Sequence, residues 1–424
     1  MIKRIIGLLE KTDGISDYRI STTSTESMEL FFVHRSLETV RSTDTTDISV
    51  TVYAQHDGRL GEASFMVYSS YDDEKIKEEI EKARAKASII SNQLYSLPEN
   101  EVARFESDSN LKDYSPEKLA ALVAKACFDA EKIENGGINA LEIFIYKDTV
   151  SVCNSRGINK TEVKYRAMVE AIPTYNGEES VELYEQYNFT EFDYDTVYKE
   201  IAERMTEVRD RYYAAPPKEK LSCPVVLGTA ELSNLIFNLV SELSFASVYA
   251  HANAFSVGDE IQKDATGDKL NVTMCKKIKG STRSANFDSD GLSLTDRKVI
   301  EDGKAIAYYG NTRYAQYLGE VATGSLGCIH TEVGTLSDGE MKKAPYFRCA
   351  SMSGLQVDIY NDYIGGEVRL GYYFDGEREI PVTGVSISGK LSTALGGLRL
   401  SNEENTHGAY KGPKLAMLTD IEIV

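Results

Sequence analysis

The run Pro216-Pro217-Lys218-Glu219-Lys220 interrupts the chain near its midpoint. Each proline fixes its own φ, lacks an N–H donor and pushes the preceding residue towards extended backbone, so neither a helix nor a strand ladder continues through the pair. Whatever lies on either side must bury its own apolar faces. The 424 residues are enough for two or three such units. The expected division is 1–215 and 222–424, with a further boundary near 96–114, where the sequence is polar and aperiodic and reads as a linker.

Upstream of the prolines, Ile2, Ile5, Ile6 and Leu9 share one helical face and Gly14 supplies a stop. Alternating strand patterns follow at 28–33, 48–54 and 63–67, and Asp57-Gly58 between the last two is a hairpin signal. Asp72-Asp73-Glu74 opens a helix carrying Ile76, Ile80, Ala83, Ala87 and Ile90. Ser115-Pro116-Glu117 opens another, with Ser as N-cap and Pro in the first turn, running to Gly136-Gly137. Strands are expected at 140–146, 150–153 and 164–172, and a third helix carries Val197, Ile201, Met205 and Val208.

Downstream, a short strand at 224–228 leads into a helix over about 230–245. The remainder is rich in Gly and in short alternating segments such as 305–309, 367–374 and 385–388. The expected fold class is α+β: an N-terminal α/β region with antiparallel strands and helices, then a C-terminal β-rich domain with one leading helix.

Charge bounds the partners. With 47 basic and 66 acidic side chains the net charge is −19, and the densest cationic stretches are pairs such as Lys276-Lys277. A polyanion is repelled, so direct nucleic-acid binding and docking on an anionic membrane are not expected. No apolar run approaches the roughly 20 residues that span a bilayer, and the apolar patch after Met1 is too short for a signal peptide. Cys127, Cys153, Cys223, Cys275, Cys328 and Cys349 show no framework spacing, which suits free thiols in the cytoplasm.

Motif chemistry is sparse. Of the five histidines, His34, His56, His251, His330 and His407, no two share a helical turn, so a single helix cannot supply a zinc pair. There is no G-x-S-x-G elbow and no phosphate loop. Phe287-Asp288-Ser289-Asp290-Gly291 begins like a calcium loop but lacks the downstream Glu. Asp288 and Asp290 are candidates for a cation or a peptide amine, against the plainer reading of an Asx-rich turn.

A resemblance extends over nearly the whole chain. Asp288-Ser289-Asp290-Gly291, Val299-Ile300-Glu301-Asp302-Gly303-Lys304-Ala305-Ile306-Ala307-Tyr308, Ala315-Gln316-Tyr317-Leu318-Gly319 and Ala322-Thr323-Gly324 stand in an order that resembles the TldD/PmbA family. The turn Asn154-Ser155-Arg156-Gly157, the segment 254–261, the stretch Pro381 to Gly389 and Gly412-Pro413-Lys414-Leu415 fit the same pattern. TldD-like members are zinc peptidases with H-E-x-x-x-H on the helix before the 254–261 segment. The corresponding residues here are Ile236-Phe237-Asn238-Leu239-Val240-Ser241, without an imidazole or the acid/base Glu. A C-terminal Cys ligand of those members is also missing from Ser401 to Gly408, where His407 is the one imidazole.

The resemblance is therefore to the PmbA (TldE) branch. It implies a non-catalytic partner subunit of a TldD-like zinc metallopeptidase acting on unfolded or small peptides in the cytoplasm. Zinc is expected only in that partner, with no catalytic or metal residues in this chain. Asp288, Asp290 and His407 are the candidate peptide- or ligand-binding residues. The alternative is a homodimeric peptide or small-molecule binding protein without protease activity. The family label "modulator of DNA gyrase" implies a third reading as a DNA or topoisomerase effector, which the charge disfavours.

Overall fold

The computed structural model describes all 424 residues. The N-terminal half is one eight-stranded sheet with helices on one face. In chain order it comprises α1 (Ile2–Leu9), β1 (Asp17–Val33), β2 (Ser36–His56), β3 (Arg59–Val67), α2 (Asp73–Ala87), β4 (Val102–Glu106), α3 (Pro116–Asp129), β5 (Gly136–Asn154), β6 (Asn159–Asn176), β7 (Ser180–Glu182), β8 (Glu185–Phe189) and α4 (Tyr194–Tyr213). The order across the sheet is β3-β2-β1-β5-β6-β4, with β7 and β8 also on β6.

The even-numbered side chains of β1 face the helices. At one end Ile20, Val50 and Val52 pack against Ile5, Leu9, Ile76 and Ile80 of α1 and α2. At the other end Leu30, Ile143 and Val169 pack against Leu119, Val123, Ile201 and Met205 of α3 and α4. Local chemistry starts each helix where the sequence indicates, with Asp72 accepting from the Lys75 amide at 2.8 Å and Ser115 from the Lys118 amide at 3.3 Å. Asp57 and Gly58 both have positive φ, the geometry of a tight hairpin turn, and join His56 to its partner Arg59.

The strands are much longer than their apolar alternation. β5 is one strand of 19 residues through Lys147-Asp148-Thr149, where a break was expected. Polar residues continue the ladder because they satisfy one another across strands: Ser24 with Thr46, Ser27 with Thr43, Ser151 with Thr161 and Asp148 with Arg166. Gly136-Gly137 begin β5 rather than ending α3, which stops at Asp129. Residues 96–114, expected as a linker, contain β4, which pairs in parallel with β6 in the same sheet, and a 3-10 turn at Asn110–Asp113. β3 covers β2 only from Ile48 onward, so the edge of β2 before it is free and carries exposed Leu37 and Val40 between Glu38, Arg41 and Asp44.

The C-terminal half stacks two sheets around a core of 37 buried residues. It runs β9 (Val225–Gly228), α5 (Thr229–Ser241), α6 (Phe245–Tyr249), β10 (Val272–Cys275), β11 (Arg297–Glu301), β12 (Lys304–Ala305), α7 (Thr312–Leu318), β13 (Cys328–Thr331) and α8 (Asp338–Met341). It continues β14 (Tyr346–Met352), β15 (Gln356–Asp358), β16 (Tyr363–Phe374), β17 (Glu379–Val382), β18 (Val385–Gly389), α9 (Leu391–Gly396), β19 (Arg399–Leu400), β20 (Glu404–His407), β21 (Tyr410–Pro413), β22 (Leu415–Leu418) and β23 (Ile421–Ile423). One sheet is ordered β12-β11-β10-β13-β21-β20 and the other β19-β22-β9-β14-β16-β18-β23, with β15 and β17 on β16.

In this half two pairs, β13–β21 and β9–β14, are parallel and the remainder antiparallel; with β4–β6 as the one parallel pair of the N-terminal sheet, the fold is α+β. Four short helices accompany the leading one, and the strand expected at 305–309 reduces to the two residues of β12. No helix is long and apolar enough to cross a membrane.

Candidate functional site: a cleft between the two halves

The halves meet on the helix-free face of the large sheet, and two of the three candidate residues sit at that junction. The turn Asp288-Ser289-Asp290-Gly291 presses on the sheet where Phe287 packs with Val152 and Ile158. Asp288 is buried, and its carboxylate accepts from the amides of Asp290, Leu292 and Ser325 at 3.0, 3.1 and 3.2 Å. Asp290 is ion-paired with Arg19 of β1. Burial raises both carboxyl pKa values; Asp290 adds to the shift at Asp288, while Arg19 opposes it at Asp290. Both carboxylates, expected as ligand contacts, are thus engaged with protein groups.

The surrounding contacts extend this fastening. Lys160, with no exposed surface, reaches Glu101 at 2.6 Å and Ser293 at 2.7 Å. Glu162 accepts from the side chain and amide of Asn286 at 2.7 and 3.1 Å. Arg313 of α7 pairs with Glu62 of β3 at 2.6 Å and lies 5.6–5.7 Å from the ring centres of Tyr95, Tyr314 and Tyr317.

His407 lies elsewhere. It ends β20 on the rim of an open cleft of about 740 Å³, walled on one side by β8 and α4 and on the other by the β9–α5 junction, β14 and β20. Glu200, Glu203, Arg204 and Glu207 recur at i, i+3, i+4 and i+7, which places them on the α4 face towards the cleft, while Val197, Ile201, Met205 and Val208 bury the other face. Glu185, Glu191 and Glu231 join them, so six glutamates line the cleft against Arg204, Lys279 and Arg348.

Arg204 pairs with Glu207 and, at 3.7 Å, with Glu185. Burial raises Glu185, Glu200 and Glu231, and takes Glu207 up to about 7 even though Arg204 and Arg348 pull against it. The His407 ring is solvent-accessible yet crowded by the concave wall, and that desolvation followed by the Arg204 charge lowers its pKa. Both effects favour the neutral imidazole, which can donate and accept.

A second cavity of about 670 Å³ lies over the polar centre of the large sheet, lined by Thr25, Asp148, Glu162, Lys164 and Arg166 and closed by the loop 276–284. Glu191 and Lys279 line both cavities and form an ion pair of 3.2 Å between them. The charged face of α4 was visible in the sequence but is indistinguishable there from a solvated helix face. Only the fold reveals that another domain covers it.

The donor set for the zinc that TldD-like members bind is not present. On α5, Ile236 is packed in the core, Phe237 is 58% exposed, and the Ser241 hydroxyl donates to the Asn238 carbonyl at 2.8 Å. No three His, Cys, Asp or Glu side chains converge anywhere to hold a metal ion.

Comparison with known proteins places this geometry. Residues 220–423 match the PmbA/TldA metallopeptidase C-terminal domain. A metalloprotease PmbA homolog from Haemophilus influenzae is 24% identical over 180 residues, which is 41% of this chain and 39% of that protein, so the match spans about two fifths of the relative's length. TldE from Thermococcus kodakarensis superposes with a TM-score of 0.81 at 17% identity, covering 100% of this chain and 99% of that one. A proposed modulator of a DNA gyrase from Thermotoga maritima gives 0.78 at 15% identity, over 100% and 99% of the two chains. Residues 220–423 thus correspond to a PmbA/TldA metallopeptidase C-terminal domain, and the whole chain shares the fold of TldE, in line with the resemblance of its ordered motifs to the TldD/PmbA family.

Proposed function

We propose that this chain is a non-catalytic subunit that pairs with a TldD-like zinc metallopeptidase and helps it hold unfolded or small peptides in the cytoplasm. What carries the reading is an intact family fold around a helix α5 that offers Ile236, Phe237 and Ser241 where the catalytic relatives place zinc ligands and the acid/base. In the complex, the partner's zinc would polarise the scissile carbonyl and activate water. This chain contributes the walls, and its glutamate-lined cleft favours peptide segments carrying Lys, Arg or a free amino terminus, with His407 at the rim as a contact. Asp288 and Asp290 we assign to holding the two halves together.

The test is co-purification with a TldD-like partner and a peptidase assay of each chain alone and of the pair. Cleavage by the pair only supports the reading; cleavage by this chain alone, with stoichiometric zinc, defeats it. The second reading, a homodimeric peptide- or small-molecule binder without protease activity, draws on the same cleft, which can hold a ligand without metal. A stable homodimer with no affinity for TldD-like proteins favours that reading. The gyrase description belongs to the structural relatives, and a net charge of −19 opposes duplex contact here.

A further inference from the structure

The loop 276–284 that separates the two cavities starts directly after a cysteine whose cross-strand partner is also a cysteine. In the β10–β13 ladder, Cys275 stands opposite Cys328. Directly opposed residues of an antiparallel pair project to the same face with Cα atoms about 4.5–5.5 Å apart, inside the about 4.4–6.8 Å that a disulfide spans. Both thiols are free, and each is the terminal residue of its strand, where the backbone is least constrained. Among the six cysteines no other two face each other in a strand pairing.

The pair is tied to the loop. Ile278 packs on both cysteines in one small cluster, and the Ser281 hydroxyl lies 3.7 Å from the Cys328 sulfur. The same loop carries Lys279, whose ion pair with Glu191 stands between the cavities, and Ser284, whose carbonyl accepts from Lys164.

We propose that Cys275 and Cys328 form a reversible cross-strand disulfide that resets the loop 276–284 and with it the passage between the two cavities. The oxidant is hydrogen peroxide, small enough to reach a pair in which Cys275 is 9% exposed and Cys328 is fully buried. The Cys275 thiolate attacks one peroxide oxygen, the O–O bond breaks, and the departing oxygen leaves as water, giving a sulfenic acid. The Cys328 sulfur then attacks that sulfenic sulfur, the S–O bond breaks and a second water leaves. Two thiols are oxidised and the peroxide is reduced to two waters. Burial, the Asp296 charge and Cys328 push the Cys275 thiol up to about 11, so oxidation accelerates as the pH is raised from 7 to 9.

The experiment uses the full chain treated with hydrogen peroxide at pH 8, unfolded in N-ethylmaleimide and mapped by mass spectrometry. The expected result is two of the six thiols protected from alkylation, a crosslinked peptide joining Cys275 to Cys328, full reversal by dithiothreitol, and altered hydrogen exchange confined to 276–284. Cys275→Ser and Cys328→Ser should each abolish the crosslink, whereas Cys127→Ser and Cys349→Ser should leave it. Sulfinic or sulfonic acid at Cys275 without a crosslink, or a crosslink to another cysteine, overturns the pairing. A crosslink with unchanged exchange in the loop overturns the coupling to the cavities.

Discussion

Lys160 offers the sharpest energetic test, because it is a fully buried cation with one charged partner at the junction of the two halves. Its ammonium reaches Glu101 at 2.6 Å and Ser293 at 2.7 Å, while Ser293 donates to the other Glu101 oxygen at 2.6 Å. Removing one member of a buried pair costs about 3–5 kcal/mol because the other charge is stranded. The Glu101 side chain is 44% exposed, so water partly re-solvates the site, and the expected cost of Glu101→Gln is lower, about 2 kcal/mol. Lys160→Met removes the buried charge itself and should cost less than about 1 kcal/mol. The double variant should resemble Lys160→Met alone.

Urea titration followed by tyrosine fluorescence, with 26 Tyr and no Trp in the chain, reads all four proteins of the cycle. Burial would raise the Glu101 pKa, but hydrogen bonds from Lys160 and Ser293 and the Lys160 charge outweigh it and the folded value is lowered. The contribution is therefore full above the ordinary carboxylate value of about 4.3 and is lost as pH falls through the lower folded value. A Glu101→Gln variant as stable as wild type, with a Lys160→Met variant several kcal/mol worse, would refute this reasoning.

Three further outcomes follow from other sites. Gly291 has φ +83°, and a Cβ there would meet the Ile158 methyl at 2.6 Å, so Gly291→Ala should destabilise by about 2 kcal/mol or more and expose the turn to limited proteolysis. Arg313→Ala removes the Glu62 ion pair and the cation facing three tyrosine rings; the loss should be about 1–3 kcal/mol, read as faster hydrogen exchange of α7. Glu207, with its folded pKa raised to about 7, stabilises most below the unfolded value and progressively less as pH rises through 7. Glu207→Gln should accordingly flatten the stability profile between about pH 5 and 8, measured by thermal melts across that range.

What the sequence disclosed follows a physical pattern. α2, α3 and α4 and the Asp57-Gly58 hairpin were legible because caps, turn residues and apolar periodicity are local. The lengths of β1, β2 and β5 were not, because Ser24, Ser27, Asp148 and Ser151 find their partners on neighbouring strands. β4 escaped notice for the same reason, since its parallel partner β6 lies more than fifty residues away in the chain. The candidate residues show the same divide. Asp288 and Asp290 stood out as a turn and fold as one, whereas the cleft beside His407 is made by Glu200, Glu203, Arg204 and Glu207, whose covering by β9, β14 and β20 no local pattern signals.

The central claim is that this chain supports peptide cleavage without performing it. The most direct measurement is zinc content together with peptidase activity of the purified chain, alone and mixed with a TldD-like protein, on an unfolded lysine-rich peptide. The account predicts no stoichiometric zinc and no cleavage for the chain alone, with cleavage appearing only in the mixture. One zinc per chain and cleavage by the chain alone would contradict it.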